Sequence, residues 1–293
     1  MEQLIDYVKA FEVYLRGLNK SAYTTKQYSL DAKQFAEIVN DSQSINEALL
    51  HYTNMIVARY PSTNSINRKY AAIRQFLSFL QTRGIISSYN TNALQPHDKD
   101  EKKLQVLKEK QREKVITYWP HKYEIALSEE DAWLALRNAT IVFCIAELGI
   151  KPAELVRMEW KHVREDEQQL IVLSSKKYRI LYLSKTLVEL LKRYREETNA
   201  FMLAAHSSPY VWLGVGNQQG QPVTVKTIER VFSAMSEQLG FKITATTLRY
   251  AVIKKELNNS TDIDALYEQF GYARKGVLTE RQQRFSTERE IKQ

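Results

Sequence analysis

Residues 148–160 read LGIKPAELVRMEW and overlap the end of an apolar run, ATIVFCIAELGI, at 139–150. The run is shorter than the roughly 18 apolar residues that indicate a membrane span, so it predicts a buried helix. The single cysteine of the chain, Cys144, lies inside this run. A lone buried cysteine excludes a disulfide framework and is typical of the reducing cytoplasm. The start, MEQLIDYVKAF, lacks the basic and apolar regions of a signal peptide, so we expect a cytoplasmic protein.

Three further segments follow in order: LSSKKYRILYLS at 173–184, TTLRYAVI at 246–253 and FGYARK at 270–275. Together with 148–160 they resemble the catalytic half of the tyrosine recombinases, also called phage integrases. That family has Gly, Arg and Ser/Pro-x-Glu-Leu in the first segment and a lysine-bearing β-hairpin in the second. It has His-x-Leu-Arg-His in the third and Leu-Gly-His in the fourth. The N-terminal half also resembles the core-binding domain of the family, so the resemblance covers nearly the whole chain.

The resemblance implies a mainly α-helical fold with a small β-hairpin or sheet, arranged as a two-domain clamp. We place a helical core-binding domain at 1–92, a charged linker at 93–120 and a degenerate catalytic-fold domain at 121–293. A chain of 293 residues is long enough for two such domains. Within the second, Ser128 followed three residues later by Asp131 predicts a helix N-cap. Alternation in QQLIVLSSKKYRILYLS predicts the hairpin.

The four segments lack most of the groups that carry the chemistry of the family. There, two arginines hold the scissile phosphate, a lysine protonates the leaving oxygen and a tyrosine attacks to form a phosphotyrosyl intermediate. Guanidinium forks fit phosphate geometry in a way that an ammonium does not. Here Lys151 stands at the first arginine position and Thr246 at the first histidine position. Tyr272 replaces the histidine of Leu-Gly-His, and Arg249 alone matches unambiguously.

The position of the hairpin lysine is open. One alignment places Ser174 or Ser175 near the position of the catalytic lysine in the family. Lys176 and Lys177 lie one or two residues away and either can substitute. We therefore include both lysines among the candidate DNA contacts.

The family keeps its nucleophilic tyrosine about nine residues after Leu-Gly-His, and this chain has no tyrosine beyond Tyr272. Arg281 stands nine residues on, and the next aromatic residue, Phe285, has no hydroxyl. A covalent mechanism without its nucleophile loses roughly four or more orders of magnitude in rate. Tyr250 should point away from Arg249 on a helix, and Tyr272 is better suited to donate a hydrogen bond to phosphate. We therefore predict that the chain is not an enzyme and has no catalytic residue.

The charge distribution favours a polyanionic partner. The net charge is +8 and the pI about 9.3. No carboxylate occurs between Glu47 and residue 97. Within that interval SINRKYAAIRQFLSFLQTR, at 65–83, places Arg68, Lys69 and Arg74 beside an apolar face and resembles the DNA-facing helix of the core-binding domain. The alternative is an ordinary solvated basic face, which usually mixes charges of both signs.

We predict a sequence-specific double-stranded DNA-binding protein without strand-cleavage activity, acting as a transcriptional repressor of a phage or other mobile element. It would bind DNA as a monomer or a homo-oligomer, away from any membrane. The five histidines lack metal-ligand spacing, so we predict no metal and no cofactor. The alternatives are an active or partner-activated site-specific recombinase, and an accessory or architectural protein for one. The predicted DNA contacts are Arg68, Lys69, Arg74, Lys151, Lys176, Lys177, Arg249 and Tyr272.

Overall fold

A computed structural model describes residues 4–40, 44–98, 104, 106–173, 178–260, 262–272, 274 and 276–290. The chain separates into two compact units, Met1–Lys102 and Lys103–Gln293. Helices account for most of the described residues, and the second unit adds a small antiparallel sheet. The predicted fold class, mainly α with a small sheet, is therefore confirmed. The helices found in the described residues are all too short or too polar to cross a membrane.

The first unit is a helical bundle around an aromatic core. At the start of its third helix the Ser44 hydroxyl accepts a hydrogen bond from the Glu47 amide at 3.2 Å, which satisfies one of the free N–H groups there. The rings of Phe11 and Phe76 lie 5.0 Å apart in the centre of the core. The helices are α1 Tyr7–Gly17, α2 Ala22–Asn40, α3 Ile45–Arg59 and α4 Thr63–Thr82.

The second unit packs its helices around the apolar helix anticipated at 139–150. The N-cap predicted at Ser128 is confirmed, because the Ser128 hydroxyl accepts from the Asp131 amide at 3.1 Å, and the helix that begins there continues into the apolar run. The helix runs through Cys144, which is fully buried. The helices are α5 Glu109–Glu124, α6 Glu129–Leu148, α7 Pro152–Leu155, α8 Lys185–Phe201, α9 Val225–Leu239, α10 Ala245–Asn259, α11 Ile263–Phe270 and α12 Gly276–Glu290.

A three-stranded antiparallel sheet lies between α7 and α8. Its order is β1-β2-β3, with strands β1 Val163–Arg164, β2 Gln169–Leu173 and β3 Tyr178–Tyr182. Strands β2 and β3 are the predicted hairpin, and residues 174–177 between them lie outside the described residues. Strand β1 was not predicted, because two residues are too few to show an alternating pattern.

Helix α5 overlaps the segment predicted as a charged linker. Its Val115 is fully buried and packs in the core of the second unit. Burial of one face gives this charged sequence a stable helix, since tertiary packing supplies most helix stability in proteins. The domain borders at residues 92 and 120 stay predictions.

Two left-handed glycines end helices where neighbouring groups approach closely. Gly149 follows α6 with φ +59°, and a Cβ there would lie 2.7 Å from the Phe270 ring. Gly271 follows α11 with φ +60°, and a Cβ there would lie 2.6 Å from Arg179 Nη1. Both positions therefore require glycine for backbone conformation and for space. They bring the ends of α6 and α11 close to charged side chains.

We expect Gly149→Ala to destabilise the second unit more than Gly240→Ala. Gly240 also ends a helix with positive φ, +72°, but nothing lies within 4 Å of an added Cβ. Gly240→Ala should cost about 1 to 2 kcal/mol for backbone strain alone. Gly149→Ala adds the clash with Phe270, which raises the cost by about 1 to 3 kcal/mol. Urea unfolding measures both, and equal losses would show that Phe270 moves aside freely.

Candidate nucleic-acid interface

Arg249 joins three segments of the second unit through one buried guanidinium. Its Nε donates to the Gly149 carbonyl at 2.6 Å and its Nη2 to the Phe270 carbonyl at 2.9 Å. Its Nη1 lies 3.2 Å from the Tyr272 hydroxyl oxygen. The two carbonyls stand at the C-terminal ends of α6 and α11, where helices carry free acceptors and partial negative charge. Burial lowers the pKa of Arg249, and an arginine still stays protonated under physiological conditions.

A second cluster beside Arg249 ties the hairpin to α7. Arg179 on β3 donates from Nη1 and Nη2 to the two Glu154 carboxylate oxygens, at 3.0 and 2.8 Å. Arg179 Nε donates to the Gln269 carbonyl at 2.8 Å. Lys151 Nζ lies 3.5 Å from Glu154 and donates to the Gly271 carbonyl. The carboxylate therefore neutralises cations that belong to different segments.

The ring of Tyr272 lies against three cations. Its centroid is 4.9 Å from the Arg249 guanidinium, 5.2 Å from that of Arg281 and 5.6 Å from Lys151 Nζ. Such contacts favour cations over an aromatic face. The side chain of Tyr272 is only partly buried.

We call Lys151, Glu154, Arg179, Arg249, Tyr272 and Arg281 the Arg249 site. It contains four cationic side chains and one carboxylate, so its formal charge is strongly positive. Guanidinium groups match phosphate oxygens in geometry and charge. The arrangement is suited to hold a phosphate group close to a tyrosine hydroxyl.

The structure brings together three of the residues predicted from sequence: Lys151, Arg249 and Tyr272. Thr246 lies exposed in the first turn of α10. The predicted contacts Lys176 and Lys177 lie outside the described residues, so their assignment stays a prediction.

The remaining predicted contacts lie on α4, and one expectation about them is wrong. We expected Arg68 and Lys69 to lack a nearby carboxylate, but the buried Asp31 on α2 pairs with both. Lys69 Nζ lies 2.6 Å from Asp31 Oδ1 and its side chain is 6% exposed, while Arg68 is 37% exposed. Pattern along one helix cannot reveal a partner 37 or 38 residues earlier in the chain. The assignment of Arg68, Lys69 and Arg74 as DNA contacts stays a prediction, and Lys69 would have to leave Asp31 to make one.

Sequence reasoning missed the roles of Arg179 and Arg281. Arg179 is the basic residue of YRILY, and alternation along β3 was the available signal that it points to the opposite side from Tyr178. Arg281 stands at the sequence position where the family resemblance places a tyrosine. Arg179 reaches the site from β3 and Arg281 from α12, so no short sequence motif contains both residues.

The comparison with protein families matches residues 106–280 to the phage integrase family. The chain belongs to this family. It is 22% identical over 259 residues to a "Tyrosine recombinase XerD-like" protein of Streptococcus mutans, covering 88% of this chain and 92% of that protein. It is 24% identical over 285 residues to tyrosine recombinase XerC of Pediococcus pentosaceus, covering 92% of this chain and 90% of that protein.

Two solved structures share the fold. The XerH site-specific recombinase bound to palindromic difH substrate, a post-cleavage complex, has a TM-score of 0.72 at 16% identity. That match covers 92% of this chain and 79% of the XerH chain. The Tn1549 transposon integrase in complex with circular intermediate DNA has a TM-score of 0.64 at 12% identity, covering 96% and 98% of the two chains.

The relatives overturn the prediction that the chain is not an enzyme. Proteins similar to it over about nine-tenths of its length are named tyrosine recombinases, which are enzymes. The prediction rested on the missing tyrosine beyond Tyr272 and on the replacements at Lys151, Thr246 and Tyr272. The site instead places the Tyr272 hydroxyl against Arg249, within hydrogen-bond distance.

The buried Glu154 predicts a pH-dependent stability. Burial acts to raise the pKa of its carboxyl, but the hydrogen bonds and charge of Arg179, with the charge of Lys151, outweigh burial and lower it. Removing one partner of a buried ion pair costs about 3 to 5 kcal/mol, so we expect Glu154→Gln to lose about that much at pH 7. A folded pKa below the unfolded one stabilises the fold above the unfolded value, about 4.3, and this stabilisation disappears as the pH falls through the folded pKa.

Urea unfolding of wild type and Glu154→Gln between pH 7 and pH 3 measures the difference. Glu229→Gln is the matched control, because Glu229 is 61% exposed and pairs with Lys226 at 3.4 Å on α9. Exposed pairs contribute little, so this variant should unfold like wild type at every pH. A loss in Glu154→Gln that stayed constant down to pH 3 would contradict the role of the carboxylate charge.

Proposed function

We propose that this protein is a site-specific tyrosine recombinase that binds duplex DNA and cleaves it through Tyr272. The names of its relatives and the DNA complexes among structures of the same fold support this class of activity. The net charge of +8 supports a nucleic-acid partner. The two chain units would both contact the duplex, which is the clamp expected from the resemblance.

The observation that carries the proposal is the 3.2 Å contact between Tyr272 Oη and Arg249 Nη1. A phosphate held by Arg249 would lie next to this hydroxyl, where an attacking group must stand. Lys151, which contacts the same ring, supplies further positive charge. Sequence reasoning assigned Tyr272 a hydrogen bond to phosphate, and the same position suits the attacking role.

The chemistry follows from these positions. The Tyr272 oxygen attacks phosphorus and gives up its proton to solvent, while Arg249 stabilises the charge on the phosphate oxygens. The bond between phosphorus and the leaving sugar oxygen breaks, and that oxygen takes a proton from Lys151. Burial is the main cause that lowers the pKa of Lys151, and a lower pKa makes its ammonium a better proton donor.

A nicked suicide duplex tests the proposal. The duplex carries a site obtained by selecting bound sequences from a random pool, and the readout is a protein–DNA adduct that survives denaturation. We expect an adduct with wild type and none with Tyr272→Phe, which removes only the hydroxyl. Tyr250→Phe is the matched control, because Tyr250 lies in the same cluster and should keep the adduct.

The other outcomes each assign a different role. Loss of the adduct in Tyr250→Phe alone would move the nucleophile to Tyr250. An adduct in both variants would place the nucleophile on a different tyrosine. If wild type binds the duplex but forms no adduct, the proposed recombinase activity is wrong. A map of binding sites in the host would then separate the repressor predicted from sequence, at promoters, from an accessory protein at recombination junctions.

Binding assays separate phosphate anchoring from base reading. Arg249→Lys keeps the charge but loses the guanidinium fork, so we expect it to weaken binding to selected and random duplexes equally, by about 1.5 to 3 kcal/mol. Arg74 is half-buried on α4, the helix that resembles the DNA-facing helix of the core-binding domain, and there it would contact bases. Arg74→Ala should reduce the difference in binding free energy between the selected and the random duplex by about 1 to 3 kcal/mol.

Arg59→Ala is the control for loss of one charge in the same unit, because Arg59 is exposed at the end of α3. This variant should leave the difference in binding free energy between the two duplexes unchanged. All proteins are measured at one salt concentration, since affinity for DNA depends on salt. An Arg249→Lys protein that lost the preference while Arg74→Ala kept it would reverse the two roles.

A further inference from the structure

Arg281 brings a partly buried cationic side chain to the Arg249 site from α12. Its guanidinium lies 4.4 Å from the centroid of the Tyr250 ring and 5.2 Å from that of Tyr272. Phe285, one turn later, is buried and packs 6.4 Å from the Tyr250 ring, which fixes the helix in place. Within the described part of the chain, Arg281 Nε and Nη1 are buried and have no hydrogen-bond partner.

Such an arrangement is unfavourable without an anion. A buried donor that lacks an acceptor costs about 1 to 3 kcal/mol, and more when the group is charged. Contacts with aromatic faces offset part of this cost but accept no N–H hydrogen bond in the plane of the guanidinium. The carboxylate of the site, Glu154, already accepts from Arg179 and lies against Lys151.

Arg281 also adds to the positive charge around Arg249. Burial is the largest cause that lowers the pKa of Arg249, and the charge of Arg281 lowers it further. Two guanidinium groups that repel each other are stabilised together when an anion binds between them. The geometry therefore calls for a ligand with several oxygen acceptors and at least one negative charge.

We propose that Arg281 is a third phosphate-binding cation of this site, beside Arg249 and Lys151, and that its Nε and Nη1 donate to a phosphodiester of bound DNA. The Tyr272 ring lies against all three cations, so a phosphate that they bind lies beside the side chain that attacks it in the proposed function. The choice of DNA as the source of the phosphate rests on the proposed function. Arg281, at the position where the family resemblance places a nucleophile, thus binds the phosphate of the DNA instead.

The salt dependence of DNA binding tests this proposal. The logarithm of affinity falls with the logarithm of salt concentration by about 0.9 per phosphate neutralised. Arg281→Met keeps the apolar stem between the two rings and removes the charge. We expect its slope to be shallower than that of wild type by about 0.9, with roughly tenfold weaker binding at low salt. The matched control is Arg284→Met, an equal loss of charge at an exposed position of α12, which should leave the slope nearly unchanged.

Equal slopes for wild type and Arg281→Met, or equal changes in both variants, would overturn the proposal. If Arg281→Met fails to fold, Arg281→Lys and Arg281→Gln make the same comparison: lysine should keep the slope and glutamine should lose it. Thermal unfolding with inorganic phosphate identifies the source of the anion. Stabilisation by phosphate that depends on Arg281, together with an unchanged DNA slope, would mean a site for small anions and would overturn the assignment to DNA.

The suicide-duplex assay keeps this proposal distinct from the proposed function. If the slope of log affinity against log salt depends on Arg281 but no covalent adduct forms, Arg281 binds phosphate and the proposed recombinase activity is wrong. If an adduct forms but the salt slope does not depend on Arg281, the proposed function is supported and the role of Arg281 is wrong.

Discussion

The guanidinium of Arg249 is the interaction on which the arrangement of the second unit depends. It reaches the carbonyl that ends α6, the carbonyl that ends α11 and the hydroxyl of Tyr272. The ends of α6 and α11, which are far apart in the chain, are therefore held together by the donors of one side chain on α10. Since a buried charge is stable only when its donors are satisfied, any movement of these segments must keep or replace those contacts. The group that connects these segments is also the one proposed to bind phosphate.

Charge in the site is divided between structure and binding. Glu154 takes both end nitrogens of Arg179, a bidentate pair whose side chains are each 9% exposed. That pair connects β3 to α7, so the charge of Arg179 stabilises the fold. Lys151 is shared, because it contacts Glu154 yet is 34% exposed. Arg249 and Arg281 keep positive charge that the carboxylate does not cancel. A phosphate ligand would therefore stabilise a charge distribution that the fold alone leaves unbalanced.

Sequence patterns predicted the elements better than the contacts between them. The Ser128 cap and the β2–β3 hairpin are local, so spacing and alternation were enough to find them. The Asp31–Lys69 pair depends on how α2 packs against α4, and no local pattern contains it. Arg179 and Arg281 enter the site for the same kind of reason. A charged residue can be located by motif only when its partner lies at a fixed distance along the chain.

The proposed nucleophile, Tyr272, lies within its motif and not about nine residues beyond it, where the family resemblance places a tyrosine. A nucleophile is defined by its distance from the phosphate and by the charge around it, not by its number of residues from a motif. Arg281 occupies the expected position in sequence, and its side chain lies against the ring of Tyr272. The hydroxyl of Tyr272 reaches Arg249. A tyrosine before α12 and an arginine on it thus meet at one site, which places hydroxyl and positive charge together although their order in the chain is unexpected.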